Sequence, residues 1–298
     1  MTVIDVKSLT LTYPSKKGIF DLNFTVNTGE VMGYLGPNGS GKTTTIRALL
    51  GFMKPDSGTC SINGLDCWKQ APKIQKILGY IPGEIAFPDN MTGDEFLRFM
   101  HAMRGTKDTA LQKQLLDTFE LNPKGKIKKF SKGMKQKLGI VTAFMHNPEI
   151  LVLDEPTSGL DPLMQNRFVD LILAEKKKGK TILMSSHIFE EVERTCDNVL
   201  IIKEGRIVKQ SDIQSLQKSQ RKGFVIKSDD AAALGQRLIL SGYEVKTIAG
   251  DAFEVYIPAG DIDRFIKSVS EFTVTDFDIK LQTLESIFMQ YYSKEGKS

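Results

Sequence analysis

The sequence predicts an α/β core with a mainly parallel sheet over residues 1–215, followed by a small α+β domain over residues 216–298. Short apolar strands alternate with amphipathic helices through the first part, the pattern of a parallel sheet with helical crossovers. One of those strands, Val31–Leu35, runs straight into a glycine-rich loop and a helix. Beyond Phe224 the rhythm becomes βαββαβ, which suggests a ferredoxin-like unit.

In chain order, Met1–Leu11 alternates like a strand and lacks the apolar run of a signal peptide. Val31–Leu35 is a short apolar strand, and Lys42–Gly51 follows it as a helix. A helical insert is expected over about 90–148. Thr92 and Glu95 form a capping box at its start. Phe96, Phe99, Met100 and Met103 then fall at i, i+3, i+4 and i+7, one apolar face expected to pack into the core. Met134, Leu138, Val141 and Met145 give a later helix its seam, and Asn147-Pro148 ends it. Ile150–Leu153 and Thr181–Met184 are further apolar strands, the second preceded by a Lys-rich helix around Phe168–Lys178.

Gln214–Lys222 is polar and reads as a linker. After it come a strand at Phe224–Ile226, a helix at Ala231–Leu240, and strands near Tyr243–Ile248 and Phe253–Ile257. Ile262, Phe265, Ile266 and Val269 mark another helix, and Phe277, Ile279 and Leu281 alternate as a strand. Thr283 is a fair N-cap for a last helix with the face Leu284, Ile287, Phe288 and Tyr291.

The 298 residues, 41% hydrophobic and 26% charged, have a net charge of +4 spread along the chain, which is compatible with an anionic ligand or a membrane surface and identifies neither. The 3 cysteines are an odd number, widely spaced, and read as reduced thiols. No run approaches the ~18 apolar residues of a membrane-spanning helix. If the protein works in transport, another polypeptide must supply the channel.

Chemistry concentrates in two places. Gly36-Pro37-Asn38-Gly39-Ser40-Gly41-Lys42-Thr43 matches G-x-x-x-x-G-K-[ST] in the strand–loop–helix context that motif requires, with Thr44 next inside the helix. Its glycines let backbone N–H groups converge on phosphate oxygens, and the helix N-terminus adds positive potential. Lys42 is placed for the β- and γ-phosphates of ATP, and the Thr43 hydroxyl for Mg²⁺. Asp154 and Glu155 end the apolar strand at Ile150–Leu153. One carboxylate suits Mg²⁺, and the next can take a proton from attacking water. Two solvated acids at a strand end are the plain alternative. His187 follows the strand at Thr181 and has both a structural and a functional reading.

The run Phe130–Asp161, FSKGMKQKLGIVTAFMHNPEILVLDEPTSGLD, resembles the signature, Walker B and D-loop run of ATP-binding cassette (ABC) ATPases. The resemblance implies a P-loop ABC ATPase core over residues 1 to about 215, in which Phe130-Ser131-Lys132-Gly133-Met134 occupies the signature segment that opens a helix. Ser131 and Gly133 would then cap the γ-phosphate held by a second subunit, and two cassettes would close over two ATPs. His187 matches the family's switch histidine. Tyr13 stands where the family places its adenine-stacking aromatic, though a strand-end tyrosine packed on the core is the other reading. Lys132 departs from the family pattern, placing a cation at a helix N-terminus, which suits a nearby anion or a solvated lysine. Gly83 stands where the family places a glutamine that touches Mg²⁺ and water. The site is then slower, or Glu84 takes over, or the loop serves contact with a membrane partner.

The tail, ending in an aromatic motif, is similar to the C-terminal domain of many exporter ATPases. The resemblance therefore implies a bacterial exporter subunit at the cytoplasmic face of the cell membrane. Its partners would be an integral membrane permease and an identical or paralogous ATPase. A soluble ABC ATPase acting on ribosomes or nucleic acid would carry two cassettes, coiled coils or zinc-ligand cysteines. A sugar-importer ATPase would carry a longer all-β tail. This chain has none of these additions, so no nucleic-acid partner is expected.

Overall fold

The computed structural model describes residues 1–218, 222–249, 252–257 and 261–281. The chain divides into two compact units, Met1–Ile213 and the remainder from Gln214. The last helix expected from Thr283 onward lies outside the described residues.

The first unit opens with β1 (Thr2–Thr12) and β2 (Gly18–Asn27), an antiparallel pair, before β3 (Val31–Leu35) and α1 (Lys42–Leu49). β4 (Ser57–Ile62) and β5 (Leu65–Asp66) complete a four-stranded antiparallel sheet in the order β2-β1-β4-β5. Of this sheet only the first strand is expected from the sequence. The alternation of β2 explains the sheet's partner: Ile19, Leu22, Phe24 and Val26 are buried on one face, and the residues between them face outward. α1 ends two residues earlier than expected, because Leu50 caps it and Gly51 turns the chain at φ 69°.

α2 (Ala71–Ile77) leads into β6 (Leu78–Ile81), and the helical insert follows with α3 (Gly93–Arg104), α4 (Ala110–Thr118) and α5 (Lys132–Phe144). The Thr92–Glu95 capping box forms at α3, Glu95 N donating to Thr92 Oγ1 at 3.2 Å and Thr92 N to Glu95 Oε2 at 2.7 Å. The stripe on α3 does not pack as expected. Phe96 is buried, but Phe99 is 44% exposed and Met103 70%. The inward face is Phe96, Leu97 and His101 instead, the imidazole bonded to Thr106 Oγ1 at 2.7 Å and Gln112 Oε1 at 2.9 Å. Two hydroxyl and amide partners make a buried histidine tolerable there, and the methionines are left lining an open groove.

β7 (Ile150–Asp154), α6 (Pro162–Lys177), β8 (Thr181–Ser186), α7 (Phe189–Thr195), β9 (Asn198–Lys203) and β10 (Arg206–Asp212) finish the unit. The six-stranded sheet runs β10-β9-β3-β8-β7-β6, parallel except for the β9–β10 hairpin. β3, β7 and β8 are buried at every position, as both-face coverage requires. α6 starts six residues before Phe168, the expected start, because Asp161 caps it, Oδ1 accepting from Met164 N at 3.0 Å with Pro162 at the first helical position.

α8 (Ile213–Lys218) runs across the division between the units, a helix over the first residues of the expected linker. β11 (Lys222–Ser228), α9 (Ala231–Leu240), β12 (Glu244–Ala249), β13 (Ala252–Ile257), α10 (Ile262–Val269) and β14 (Val274–Leu281) follow. Their sheet order is β12-β13-β11-β14, and every neighbouring pair is antiparallel. Phe224, Leu234, Leu238, Tyr243 and Phe265 are buried together in its core. The aromatic rings of Phe224, Phe265 and Phe277 stand 5.2–6.4 Å apart.

Candidate active site

Parallel strands bring the sequence-predicted residues together at one sheet edge. Gly36 follows β3, Gly83 follows β6 after Pro82, Asp154 ends β7, and His187 follows β8. In register, Leu35 pairs with Ser186 and Asp154 with Ser185, so these carboxyl ends are level. Clefts at this edge are where open α/β sheets bind ligands.

The loop from Gly36 to Gly41 wraps the start of α1. Gly41 caps the helix at φ 114°, which only glycine adopts without strain. Gly39, at φ 79°, has open space on the side a Cβ would occupy. Lys42 is buried, and its ammonium donates to Gly36 O at 2.6 Å and Pro37 O at 3.3 Å. The same nitrogen pairs with Glu155 Oε1 at 3.2 Å. Ser40 is also buried, and its Oγ has no hydrogen-bond partner among the described residues.

Asp154 is fully buried and both carboxylate oxygens are engaged. Thr43 Oγ1 donates to Oδ2 at 2.7 Å, and Ser185 Oγ donates to Oδ1 at 2.5 Å. Ser185 also accepts from Glu155 N at 3.0 Å. Glu155 turns out of the strand at φ 49°, a left-handed conformation rare for this residue type. That turn aims its carboxylate at Lys42 on one side and at His187 Nδ1 on the other. His187 itself is exposed.

A cavity of about 380 Å³ opens beside this cluster, lined by Asn38, Thr43, Arg47, Gly83, Glu84, Glu155, Ser158 and His187 among others. Tyr80 lines it too. Burial, and then the Asp154 carboxylate, push its phenol up to about 12, with Arg47 opposing, so the hydroxyl keeps its proton. Glu84, next to Gly83, also lines this cavity, as a stand-in for the family's glutamine would have to. Tyr13 sits at the edge of the loop, its hydroxyl 3.4 Å from Thr44 Oγ1 and 3.2 Å from Met53 Sδ, and packs against the core.

Ser131 and Gly133 do not line that cavity. Ser131 caps α5, Oγ accepting from Met134 N at 3.2 Å. Phe130 and Lys132 border a separate hollow of about 410 Å³, which shares Gly83 and Glu84 with the first. The Lys132 stem lies over Gly159, where a Cβ would come within 3.0 Å of Lys132 Cγ and Cδ. Thus the start of α5 packs on the turn after Glu155.

Two positioning residues escaped the sequence reading. Ser185 is legible only through the β7–β8 register. Gln136 is buried on α5, and its Nε2 donates to Pro156 O at 2.6 Å, tying that helix to the turn. Its only sequence signal is a polar residue on an apolar helix face.

Residues 19–158 match the ABC transporter family. The bacitracin transport ATP-binding protein of Bacillus licheniformis is 35% identical, covering 94% of this chain and 97% of its own length. The chain belongs to the ATP-binding subunits of ABC transporters. This ABC ATPase is also 31% identical to the linearmycin resistance ATP-binding protein of Bacillus subtilis, covering 94% of this chain and 84% of that one. The Nod factor export ATP-binding protein I of Burkholderia orbicola is 35% identical, over 85% of this chain and 86% of the other. A solved ATP-binding subunit of an ABC transporter superposes with TM-score 0.67 at 33% identity, covering 73% of this chain and 92% of that one. A dimeric ABC transporter cassette shares the fold, with TM-score 0.64 at 21% identity over 70% of this chain and 98% of its own. The family binds and hydrolyses ATP and works with membrane permeases. Among the described residues no helix is long and apolar enough to cross a membrane.

Proposed function

We propose that this ABC ATPase powers export through a separate membrane-spanning permease, as one half of an ATP-closed dimer on the cytoplasmic face of the membrane. The observation that carries the catalytic part is the placement of Glu155, bridged between Lys42 and His187 and turned toward the cavity. Gly36 to Thr44 cradle the phosphates, with Lys42 on the β- and γ-oxygens. Glu155 accepts the proton of the attacking water, and His187 orients that carboxylate and meets the γ-phosphate. Tyr13 stacks on the adenine.

The donor set fits Mg²⁺. Thr43 lines the cavity, and its Oγ1 and Asp154 Oδ2 behind it are two hard oxygens already 2.7 Å apart. No cluster of three or more His, Cys, Asp or Glu side chains forms among the described residues. An ion that keeps waters and takes phosphate oxygens needs no fuller protein cage. Bound there, it would supply charge neutralisation of the phosphates.

The separation of Ser131 and Gly133 from their own chain's cavity supports their serving the nucleotide of a neighbour, whether identical or paralogous. ATP then favours the closed dimer because only that state contacts its γ-phosphate. The apolar groove of about 710 Å³ bordered by Phe52, Tyr80, Met100 and Met103 supports a docking place for the permease. Three relatives whose names concern bacitracin transport, linearmycin resistance and Nod factor export support the direction. The antiparallel order of the second unit supports reading it as a ferredoxin-like accessory domain.

The test is affinity purification of the tagged full chain from native membranes. The expected result is co-recovery of a membrane-embedded polypeptide. Recovery with ribosomes or nucleic acid and no membrane protein would overturn the assignment.

A further inference from the structure

We propose that Glu191, on α7, is a positioning residue that fastens the turn after Glu155 to the loop carrying His187. This rests on the ATPase reading above and adds a part to the same site.

Three buried polar side chains from three segments meet here. Thr157 lies in the turn after β7, Ser186 ends β8, and Glu191 sits in the first turn of α7; all three are at most 5% exposed. Thr157 Oγ1 and Ser186 Oγ both donate to Glu191 Oε2, each at 3.1 Å. Ser186 Oγ in turn accepts from Ile188 N at 2.9 Å. His187 is therefore bracketed by a hydroxyl whose direction Glu191 sets. The neighbouring Ser185 holds Asp154 and the Glu155 amide. Glu191 thus closes a chain of bonds that runs around Glu155 on both sides.

A purely space-filling role does not account for an acid at this place. Burial lifts the Glu191 carboxyl above its ordinary range, the two hydroxyls opposing that shift, and its Oε1 is buried without a hydrogen-bond partner among the described residues. A leucine or methionine would fill the volume without that desolvation cost. Neither could accept the two hydroxyls, and Thr157 and Ser186 would each lose an acceptor. The acid supplies a geometry: one oxygen shared by both loops.

Loosening that joint disturbs His187 and the turn but leaves Lys42 and the phosphate loop in place. It therefore acts on turnover rather than on ATP binding. The experiment measures kcat and KM for ATP of the full chain and four variants, three single substitutions and one double. Glu191→Ala is expected to lose at least about tenfold in kcat with KM within about twofold. Glu191→Gln keeps a carbonyl acceptor and is expected to stay within about threefold of the parent. Thr157→Val, which removes one of the two donors, is expected to lose kcat, and no further loss when combined with Glu191→Ala. Parent-like kcat in Glu191→Ala, a Gln variant as poor as Ala, or a KM that rises in step with the loss would each overturn the proposal. If Glu191→Ala does not fold, unchanged kcat in Thr157→Val overturns it alone. Absence of turnover in the parent chain would instead remove the ATPase reading, and this inference with it.

Discussion

Gly83 lies against the buried carboxylate of Asp154, so close that a Cβ on it would stand 2.9 Å from Asp154 Oδ2. The same oxygen accepts the Thr43 hydroxyl at 2.7 Å. Any side chain here must push Asp154 against bonds that hold both of its oxygens. Two effects are separable by substitution. Gly83→Ala adds only the crowding and should lower ATP turnover several-fold, about 1 kcal/mol of barrier or more. Gly83→Gln adds the same crowding plus the amide, and should turn over faster than Gly83→Ala if the amide aids the attacking water. Equal rates for the two variants would remove the amide from the account.

The parts of the site that were legible were those written in short contiguous runs. Gly36–Thr43 and Asp154–Glu155 carry their chemistry in spacing, and the strands before them are apolar throughout because both faces are covered. Ser185 and Gln136 were not legible, since each acts through a partner far along the chain that only sheet register or helix docking supplies. The α3 stripe misled for a related reason. Periodicity identifies an apolar face but not what covers it, and Met100 and Met103 border a groove rather than the core. The division between the two units falls at Gln214, where the polar linker was expected, but polarity alone does not prevent a helix, and α8 forms over its first residues.

The groove reading has its own test. Met103→Asp places a charge on a 70% exposed position outside the ATP site. ATP binding by the isolated subunit should be unchanged, while co-purification with the membrane partner should fall at least about tenfold, as expected for a charge buried unpaired in an apolar contact. Undiminished co-purification would place the contact elsewhere.

Acid stability should depend on His146. Its Nε2 bonds Leu78 O at 3.2 Å, and burial, with the nearby Arg104, pushes the imidazole down to about 4. The unfolded chain holds that proton near the ordinary value of about 6.5. The unfolded state therefore binds more protons between the two values. His146 stabilises the fold fully above pH of about 6.5 and loses that contribution as pH falls toward about 4. Melting temperature measured from pH 7 to pH 5 should fall less steeply in His146→Gln, which retains a donor for Leu78 O. Parallel slopes would show that other groups set the acid limb.

Glu155 is the proposed base in a site that two subunits would complete. Glu155→Gln keeps the shape and hydrogen-bonding reach of the side chain while removing its basicity. Light scattering of this variant with and without ATP, alongside its ATPase rate, is the most direct test. The prediction is retained ATP binding, turnover reduced by about 10²-fold or more, and an ATP-dependent dimer. Lys42→Ala, which loses the phosphate contact itself, should give no such dimer. Hydrolysis at the parent rate by Glu155→Gln, or its failure to dimerise with ATP bound, would contradict the account.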